Sequence, residues 1–519
     1  MKAVKHIFSS VKNWVKGNPT EFLILFFIIV LGAFLRLYKI SEYMTFLGDE
    51  GRDVIIVRRL LVEHDPIFVG PGTSVGNMHL GPLYYYMIAP ALLLANFSPI
   101  GPAVEIALLG VVTIFFIWFV TRKWFGVFAA SLASFFYAIS PVVIYHSRSS
   151  WNPNIMPFFA LLLIYSLWKV WQEAKWNWLM VTAISFSFVV QSHYLGLILL
   201  PTMLIFIVLS LIRDYKDKAL LKVVVRNIIV AMGIFLALMS SLIIFDAKYG
   251  WRNALAMKNF FTQNRADISF NLLGSILRLW SLSVEFITRV MAGRDGQYGQ
   301  WLLMIIVALL LFFILRWKDI NKTSQKAIIL VGVWLAIGIL GLSLYKQRVF
   351  DHYYGFIFPA PFIFLGGLLE TVIKRKNKAI VFLVTAGFLL LTFINIKANA
   401  FWDEPNRQLL RTSQVAEKIR EEAGGQKFNL AVIAERNYEG AYQYFLELKS
   451  APISFIDPQR YEETVAEQLF VVCEYENHEK CQPTSNPKAE VANFGWSKVE
   501  QSWDVGGLVI FKLVHNRQI

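Results

Sequence analysis

The sequence is poor in charged residues. Only 17% of its 519 residues are Asp, Glu, Lys or Arg, while 56% are hydrophobic and 15% are aromatic. Soluble globular domains carry about 25% charged residues, so this composition excludes an ordinary soluble protein and indicates a polytopic membrane protein. The formal net charge of +14 is best explained by Lys and Arg held in cytoplasmic loops. We therefore expect membrane lipid, and no nucleic acid, among its partners.

Cysteine is nearly absent as well. The two cysteines, Cys473 and Cys481, lie near the C-terminus, where they can form a disulfide or remain free thiols. The chain has no Cys/His cluster with metal-ligand spacing, no Gly-rich phosphate loop in its C-terminal part and no internal repeat. The sequence therefore indicates no certain cofactor. It leaves open a divalent cation at the acidic motif described below.

Long apolar runs are what the sequence has in abundance. Eleven are long enough, or nearly so, for the ~20 residues that a membrane-spanning helix needs. They lie at about 21–38, 103–121, 125–144, 154–171, 176–192, 194–212, 227–246, 301–316, 327–345, 353–372 and 378–396. Residues 1–20 contain four Lys and precede the first run without a small-residue cleavage site, so they predict a cytoplasmic N-terminus on an uncleaved anchor.

The distribution of Lys and Arg tests this topology. With residue 1 inside, alternation makes five connections cytoplasmic, and all of them carry Lys or Arg: 122–123, 173–176, 213–226, 316–326 and 374–378. The short connections assigned to the outside, near 145–153 and 191–194, hold one Arg between them. The pattern follows the positive-inside rule. It predicts a multi-pass protein of the plasma or inner membrane whose residues after about 397 are extracytoplasmic.

Two large outer loops interrupt the spans, at about 39–102 and 247–300. A further apolar run at 79–95 is not counted as a span, because counting it would place two basic clusters outside. We expect it to form a surface helix with Tyr84, Tyr85 and Tyr86 at the level of the lipid headgroups. An amphipathic helix is predicted at about 52–64, and interfacial helices are predicted in the second loop.

The composition changes after residue 396, and helical and strand-like pieces alternate through 397–519. Helices are predicted at 406–422 and 438–448, and strands at 428–433, 453–456, 468–473 and 507–514. The predicted architecture is therefore an α-helical membrane domain over 21–396, followed by a small α/β domain of ~120 residues, which is large enough for its own core.

Polar side chains gather at the outer ends of the apolar runs, and they come from five segments that are distant in sequence. They are Asp49, Glu50, Arg52 and Asp53; His79; His146, Arg148, Asn152 and Asn154; Gln191, His193 and Tyr194; and Lys346, Arg348, Asp351, His352, Tyr353 and Tyr354. Such a set suits transfer of an activated group from a lipid phosphate, because cations can stabilise the leaving phosphate. One general base, Asp49 or Glu50, would then suffice. Structural explanations stand beside this one: Lys346 and Arg348 as boundary anchors, Tyr353 as an interfacial aromatic and His193 as a packing residue.

Four motifs carry a resemblance to a known family. They are Gly48-Asp49-Glu50 after the first run, His79-Leu-Gly-Pro-Leu-Tyr-Tyr, Ser140-Pro141 leading to Ser147-Arg148, and Arg348…His352-Tyr-Tyr…Pro359-Ala-Pro361. Over about 20–400 the chain resembles the GT-C superfamily glycosyltransferases, in particular glycosyltransferase family 39. That group includes the protein O-mannosyltransferases, the lipid A aminoarabinose transferase and bacterial relatives with an RgtA/B/C/D-like domain. The resemblance implies a GT-C fold with about eleven transmembrane helices. It also implies inverting transfer of a sugar from a polyprenyl-phosphate-linked donor to a glycan, lipid or protein acceptor on the outer face of the membrane.

The same resemblance implies roles for particular residues. Asp49 would be the base, and Glu50 would assist it or bind a metal ion. The implied donor-phosphate ligands are Arg148, Lys346 and Arg348, and the candidate substrate-binding residues are Arg52, His79, Asn152, His193, His352 and Tyr353. The chain departs from the family pattern in two places. No carboxylate follows Arg148, where relatives often have one, and the family's His-Pro-Pro pattern is loosened to His-Leu-Gly-Pro. The sugar and the acceptor are therefore not implied.

Two other functions compete with this one. A transporter or flippase of lipid-linked saccharides would place its binding groups near the bilayer midplane, often with repeat symmetry, whereas here the polar residues lie at the outer end. An envelope scaffold acting through its C-terminal domain would leave the two large outer loops unexplained. Both alternatives are weaker than the glycosyltransferase.

Overall fold

The protein is described from a computed structural model that covers residues 2–73, 78–262, 272–345 and 347–516. The predicted fold class is confirmed: the chain is mostly helical and ends in a small four-stranded sheet. Lys346, one of the predicted phosphate ligands, lies outside the described residues.

Among the described residues, eighteen α-helices precede the C-terminal domain. They are α1 (Lys2–Gly17), α2 (Pro19–Leu37), α3 (Ile40–Tyr43), α4 (Gly48–Val62), α5 (Leu83–Leu94), α6 (Ile100–Trp124), α7 (Val127–Ile139), α8 (Pro141–His146), α9 (Met156–Glu173), α10 (Leu179–Ser192), α11 (Leu199–Asp214), α12 (Lys218–Lys248), α13 (Arg252–Thr262), α14 (Leu272–Met291), α15 (Gly296–Leu315), α16 (Lys322–Ser343), α17 (Ala360–Ile373) and α18 (Lys378–Lys397). Side chains cap the starts of several of these helices. Asp217 accepts two backbone N–H groups at the start of α12, Asn377 accepts two at α18, and Asn321 accepts one at α16.

Within the described part of the chain, eight helices are long and apolar enough to cross a membrane. The 3₁₀ helix Asp351–Ile357 and α17 pass the same test only when taken together, and they are bent by 53° at the break between them. The two remaining predicted spans, 125–144 and 176–192, contain α7 and α10. These are only 13 and 14 residues long, and each is continued by a short helical piece, α8 after α7 and Trp176–Trp178 before α10.

The segment 39–102, predicted to be an outer loop, differs from the prediction in two respects. Helix α4 begins at Gly48 and not at about 52, so the acidic motif forms its first turn and is not a loop. Tyr84 and Tyr85 are buried, with exposed fractions of 1% and 0%, and only Tyr86 is exposed. The expectation of three headgroup-level tyrosines is therefore wrong for the first two, because α5 packs against α4 and α6 and turns them inward.

The C-terminal domain is an α/β unit with a mixed sheet. Its helices are α19 (Gln408–Glu422), α20 (Gly440–Leu448), α21 (Tyr461–Thr464) and α22 (Ala489–Phe494), and its strands are β1 (Asn429–Ile433), β2 (Gln468–Cys473), β3 (Ser497–Val505) and β4 (Leu508–His515). The strand order is β1-β2-β4-β3, with β1 and β2 parallel and the other pairs antiparallel. The predicted strand at 453–456 is wrong, since Ile453 makes only an isolated bridge to Phe428. Strand β3 was not predicted, and Cys473 and Cys481 form a disulfide.

The C-terminal domain shares a core with the segment that contains α4 and α5. One face of its sheet packs on α22 in a cluster that includes Leu469 and Phe494. The other face, with α19 and α20, joins a cluster that also contains Phe46, Val54 and Tyr85. The domain is therefore not independent of the membrane part, because one of its two apolar clusters is completed by residues of α4 and α5.

Candidate functional site

The acidic group, which we define as Asp49, Glu50, Arg52 and Asp53, occupies the first turns of α4. The Arg52 guanidinium donates to Asp49 Oδ1 at 2.7 Å and to Asp53 Oδ1 at 2.7 and 3.0 Å. Asp49 is the exposed member, with 39% of its side-chain surface accessible, whereas the side chain of Asp53 is 1% exposed. One arginine thus holds two carboxylates, of which only Asp49 can meet a substrate directly.

Glu50 faces inward from the same turn. Its Oε2 accepts the backbone N–H of Leu47 at 3.0 Å, which satisfies one of the free donors at the start of α4. Burial raises the pKa of Glu50 to about 7 and that of Asp53 to about 6. Tyr85 donates to Asp53 Oδ1 at 3.1 Å, while the buried Oδ2 has no partner among the described residues. The two buried acids therefore hold protons more tightly than ordinary carboxylates, and the predicted role of Glu50 in assisting the base stays a prediction.

Glu50→Gln is expected to flatten the pH dependence of stability. Between the ordinary pKa near 4.5 and the raised value of about 7, the folded protein keeps a proton that the unfolded chain releases. Wild-type stability therefore falls as pH rises through this window, by on the order of 2–3 kcal/mol. Melting temperatures at about pH 5, 6, 7 and 8 measure the effect. Asp53 contributes in the same direction, so the slope should become shallower without vanishing.

Glu63→Gln is the matched control for that series, because Glu63 is exposed at the other end of the same helix. It should reproduce the wild-type slope. Parallel curves for wild type and Glu50→Gln would show that Glu50 does not carry the raised pKa.

The C-terminal domain completes the acidic group from the other side. Tyr438 donates to Asp49 Oδ1 at 2.8 Å, and Asn437 Oδ1 accepts the backbone N–H of Gly48 at 2.8 Å. Asn437 is held in turn by Glu474, whose Oε1 accepts from its amide at 2.7 Å. Two residues from the far end of the chain thus fix the exposed carboxylate and the first turn of its helix.

Residues 147–154 connect the region of the acidic group to the ends of neighbouring helices. Ser149 Oγ accepts the backbone N–H of Thr45 at 3.0 Å, close to the start of α4. Ser150 Oγ lies 2.7 Å from the hydroxyl of Tyr84, and Asn152 donates to the backbone oxygen of Ser192 at 2.6 Å. Neighbouring side chains of one segment therefore reach α4, α5 and the end of α10.

A His–aromatic cluster lies at the end of this segment. It consists of His146, Trp151, His193, His352 and Tyr353. The ring of His352 is 4.5 Å from those of Trp151 and Tyr353 and 5.9 Å from that of His193. Burial lowers the pKa of both His146 and His193 to about 4, so these rings are neutral near pH 7 and can both donate and accept hydrogen bonds. Flat rings with neutral polar edges are suited to contact with a sugar.

Cationic side chains border the other side of this cluster. Arg289 pairs with Asp351 at 2.9 Å and with Glu285 at 3.3 Å. Arg348 is exposed and lies over the ring of Phe350, and Arg278 donates to the backbone oxygen of Tyr345 at 2.8 Å. Within the described ranges, neither Arg278 nor Arg348 forms an ion pair. No carboxylate in these ranges therefore offsets their positive charge, which an incoming phosphate would meet.

An apolar groove of about 760 Å³ runs along one face of α14. Helix α14 lines it with Leu279, Ser283, Phe286 and Ile287, which repeat at helical spacing. The opposite walls come from α15, α16 and α17. Arg278 directly precedes the first of these lining residues in the sequence of α14.

Two predicted site residues lie away from these groups. Arg148 is 4% exposed and donates to the backbone oxygen of Tyr38 at 2.7 Å, with its guanidinium over the rings of Tyr43 and Phe401. The His79 ring packs edge-on against Phe245. The predicted roles, binding of the donor phosphate by Arg148 and of substrate by His79, stay predictions.

A metal ion does not fit the residues around Glu50. In the described ranges no group of three or more His, Cys, Asp or Glu side chains is arranged to hold one. Glu50 itself is turned toward the backbone of its own helix. No step of the chemistry is therefore assigned to a metal.

Sequence reasoning missed three contributors: Tyr85, Tyr438 and Arg278. Tyr85 was interpreted as an interfacial aromatic because it stands in a run of three tyrosines. Arg278 is one of two arginines in the largely apolar helix α14, and a charged residue in such a helix is the signal that could have found it. Tyr438 lies 389 residues from Asp49 in sequence, and no local pattern points to that contact.

Comparison with known proteins supports the resemblance. Residues 79–245 match the family described as dolichyl-phosphate-mannose-protein mannosyltransferase. No curated protein sequence matches significantly. Among solved structures, the chain is similar to ArnT from Cupriavidus metallidurans bound to undecaprenyl phosphate. The TM-score is 0.56 and the identity 12%, over 95% of this chain and 98% of that one.

The chain is also similar to the archaeal oligosaccharyltransferase AglB from Archaeoglobus fulgidus, solved with an inhibitory peptide and a dolichol-phosphate. In this case the TM-score is 0.50 and the identity 12%, over 88% of this chain and 70% of that one. At such identities the similarity concerns the fold. The expected GT-C fold, with many apolar helices and a small C-terminal sheet, is confirmed.

Proposed function

We propose that this protein, which has the fold of the GT-C glycosyltransferases, transfers a sugar from a polyprenyl-phosphate donor to an acceptor hydroxyl. The observation that carries the proposal is the presence of two features in one fold. One is a partly exposed carboxylate, Asp49, held by Arg52 and Tyr438. The other is the apolar groove along α14, whose first lining residue, Leu279, follows Arg278 in sequence. A prenyl chain needs such a groove, and a hydroxyl nucleophile needs such a base.

In this mechanism Asp49 accepts the proton of the acceptor hydroxyl as its oxygen attacks the anomeric carbon. The bond between that carbon and the phosphate oxygen breaks, and the electron pair leaves with the lipid phosphate. Because attack comes from the face opposite the leaving group, the anomeric configuration inverts. Arg52 and Tyr438 orient Asp49 by donating to the same oxygen, Oδ1, which leaves Oδ2 to take the proton.

The donor contacts follow from charge. The phosphate would be bound by Arg348 and Arg278, which have no carboxylate partner among the described residues, and we keep Lys346 and Arg148 as further candidates. Charge-assisted hydrogen bonds from guanidinium groups to phosphate are strong and stabilise the leaving group as its charge grows. The sugar would contact the His–aromatic cluster, with Asn152 fixing the segment that carries Trp151.

An extracytoplasmic site is supported by two independent features. The Lys and Arg distribution along the sequence favours it through the positive-inside rule. The disulfide between Cys473 and Cys481, in the domain that contacts Asp49, is typical of oxidising compartments.

Replacing Arg348 or Arg278 with Gln is expected to weaken binding of undecaprenyl phosphate by about tenfold each. The expected loss is that of one charge-assisted hydrogen bond, about 1.5 kcal/mol. Binding to the purified protein is measured by native mass spectrometry or by the lipid-dependent shift in Tm. Arg420→Gln is the control, since Arg420 lies on α19 in the C-terminal domain, pairs with Glu417 and does not line the groove. Wild-type affinity in both variants would contradict the phosphate assignment.

The function is tested by supplying extracted polyprenyl-phosphate-linked sugars and envelope acceptors to the protein in detergent. A glycosyltransferase releases free polyprenyl phosphate in proportion to the sugar transferred. A flippase cannot produce this release, because it breaks no bond and needs a bilayer to act. Absence of release by the wild-type protein, with the acceptor fraction present, would refute the proposal.

A further inference from the structure

A polar crevice of about 1050 Å³ lies in the C-terminal domain beside the first turn of α4. Its walls are the segments that follow two parallel strands: 434–437 after β1 and 474–480 after β2. Gln408 and Arg411 of α19 form a third wall, and Leu47 borders it from the membrane part. Crevices at the carboxyl ends of parallel strands are the usual ligand sites of open α/β sheets, and this volume is at the upper end of the range for small-molecule sites.

The wall after β2 is fixed covalently. The disulfide between Cys473 and Cys481 closes a loop with a sequence separation of eight, and that loop contains all of the lining residues from 474 to 480. A closed loop has fewer conformations than an open one. The crevice therefore has a wall that is held in place before any ligand arrives.

The crevice is coupled to the proposed base by a short series of contacts. Glu474 in its wall accepts from Asn437 at 2.7 Å and from Tyr442 at 2.5 Å. Asn437 accepts the N–H of Gly48, and the next residue, Tyr438, donates to Asp49. A molecule in the crevice would therefore lie one residue away from the group that orients Asp49.

The side chains of the crevice favour one ligand chemistry. Four carboxylates line it, those of Glu435, Glu474, Glu476 and Glu479, against the cations Arg411, Arg436 and Lys480. This excess of negative charge disfavours an anionic acceptor such as a phosphorylated lipid headgroup. Carboxylates accept hydrogen bonds from hydroxyls, amides such as Asn477 do both, and Tyr475 offers a ring face. That combination suits a neutral, hydroxyl-rich molecule.

We propose that this crevice binds a neutral saccharide and that, given the proposed function, this saccharide is the acceptor or the part of the acceptor next to the reacting hydroxyl. The enzyme would then hold its two substrates on opposite sides of Asp49. The charged donor is bound on the cationic side, by Arg278 and Arg348, and the uncharged acceptor is bound on the carboxylate-rich side.

The test measures binding to the full chain in nanodiscs by saturation-transfer NMR. The probes are cellotetraose, chitotetraose, mannotetraose and maltotetraose, with tetragalacturonate as the anionic comparison. We expect transfer to at least one neutral probe and none to tetragalacturonate. Glu435→Gln/Glu476→Gln should weaken binding by about tenfold or more, because two carboxylate acceptors are lost. Glu435→Lys/Glu476→Lys, at the same exposed positions, should abolish it. The control is Glu462→Gln/Glu463→Gln, which makes the same charge change on α21, outside the crevice.

Each outcome decides the proposal. Binding that is lost in both crevice variants and kept in the control supports it. No signal from any neutral probe, equal signals in wild type and crevice variants, or preference for tetragalacturonate overturns it. Saccharide binding with the expected variant pattern, in a wild-type protein that releases no polyprenyl phosphate, would remove the proposed function and leave the saccharide site standing.

Discussion

Asp49→Asn is expected to lower sugar transfer by about 10²–10⁴-fold, the usual contribution of a general base. The substitution keeps the size of the side chain, and its amide oxygen can still accept from Arg52 and Tyr438. What it removes is the ability to take the acceptor proton. The measurement is release of polyprenyl phosphate by the purified variant, together with its Tm and its affinity for undecaprenyl phosphate, both of which should match the wild type.

Asp65→Asn is the matched control, an exposed aspartate just beyond the C-terminal end of the same helix. It should transfer sugar at the wild-type rate. Wild-type turnover in Asp49→Asn would refute the assignment of the base. A loss of turnover accompanied by a large fall in Tm would instead assign Asp49 a structural role.

Asp53 cannot replace Asp49 in this role. It is buried, bonded to Arg52 and Tyr85, and raised in pKa to about 6 by its burial. Being a carboxylate is not enough to act as the base, since the hydroxyl of the acceptor must come within hydrogen-bond distance of it. Exposure therefore separates two aspartates that are both bonded to the same arginine.

The membrane fold could be predicted from the sequence because its signal is local. A run of apolar residues of sufficient length makes a helix in lipid, where every backbone group must be paired within the segment. Treating each apolar run as one continuous helix overestimated the length of α7 and α10. Pro141 cannot continue a helix without losing a hydrogen bond, and α7 accordingly ends at Ile139. The 53° bend before α17 follows the same principle, with Pro359 and Pro361 beside it.

The site was only partly predictable because much of it depends on contacts between distant segments. The positions of Asp49 and Arg348 at the ends of apolar runs could be seen from hydropathy and charge. The contact of Tyr438 with Asp49 could not, since it depends on how the C-terminal domain docks on α4. Strand β3 was missed for a related reason: its residues are mostly exposed and lack the apolar alternation that indicates a strand.

The docking itself depends on glycine. Helices α4 and α20 cross so closely that a Cβ on Gly51 would lie 2.3 Å from the backbone nitrogen of Ala441. A Cβ on Gly440 would lie 2.3 Å from the backbone oxygen of Gly48. Backbone atoms cannot move aside as the end of a flexible side chain can, so neither position tolerates a larger residue without separation of the two helices.

Gly51→Val is therefore expected to displace the C-terminal domain from α4. The cost of overpacking is typically about 1–3 kcal/mol, and here it falls on a contact that also positions Asn437 and Tyr438. We expect faster hydrogen exchange in 440–448 and 48–62, and a loss of transfer approaching that of Asp49→Asn, with undecaprenyl phosphate affinity unchanged. Gly51→Ala should give a smaller effect in the same direction.

The control for the glycine series is Gly233→Val in α12, where an added Cβ meets no heavy atom within 4 Å. It tests whether valine in a helix is harmful by itself, and it should leave both exchange and transfer unchanged. If Gly51→Val kept wild-type exchange and transfer, the close crossing of α4 and α20 would not be what holds the domain. If hydrogen exchange became faster while sugar transfer persisted, the close crossing would hold the domain on α4, but Tyr438 would not be needed to orient Asp49. The proposed mechanism requires both quantities to change together, because the same two residues that join the domains also hold the first turn of α4 and its carboxylate.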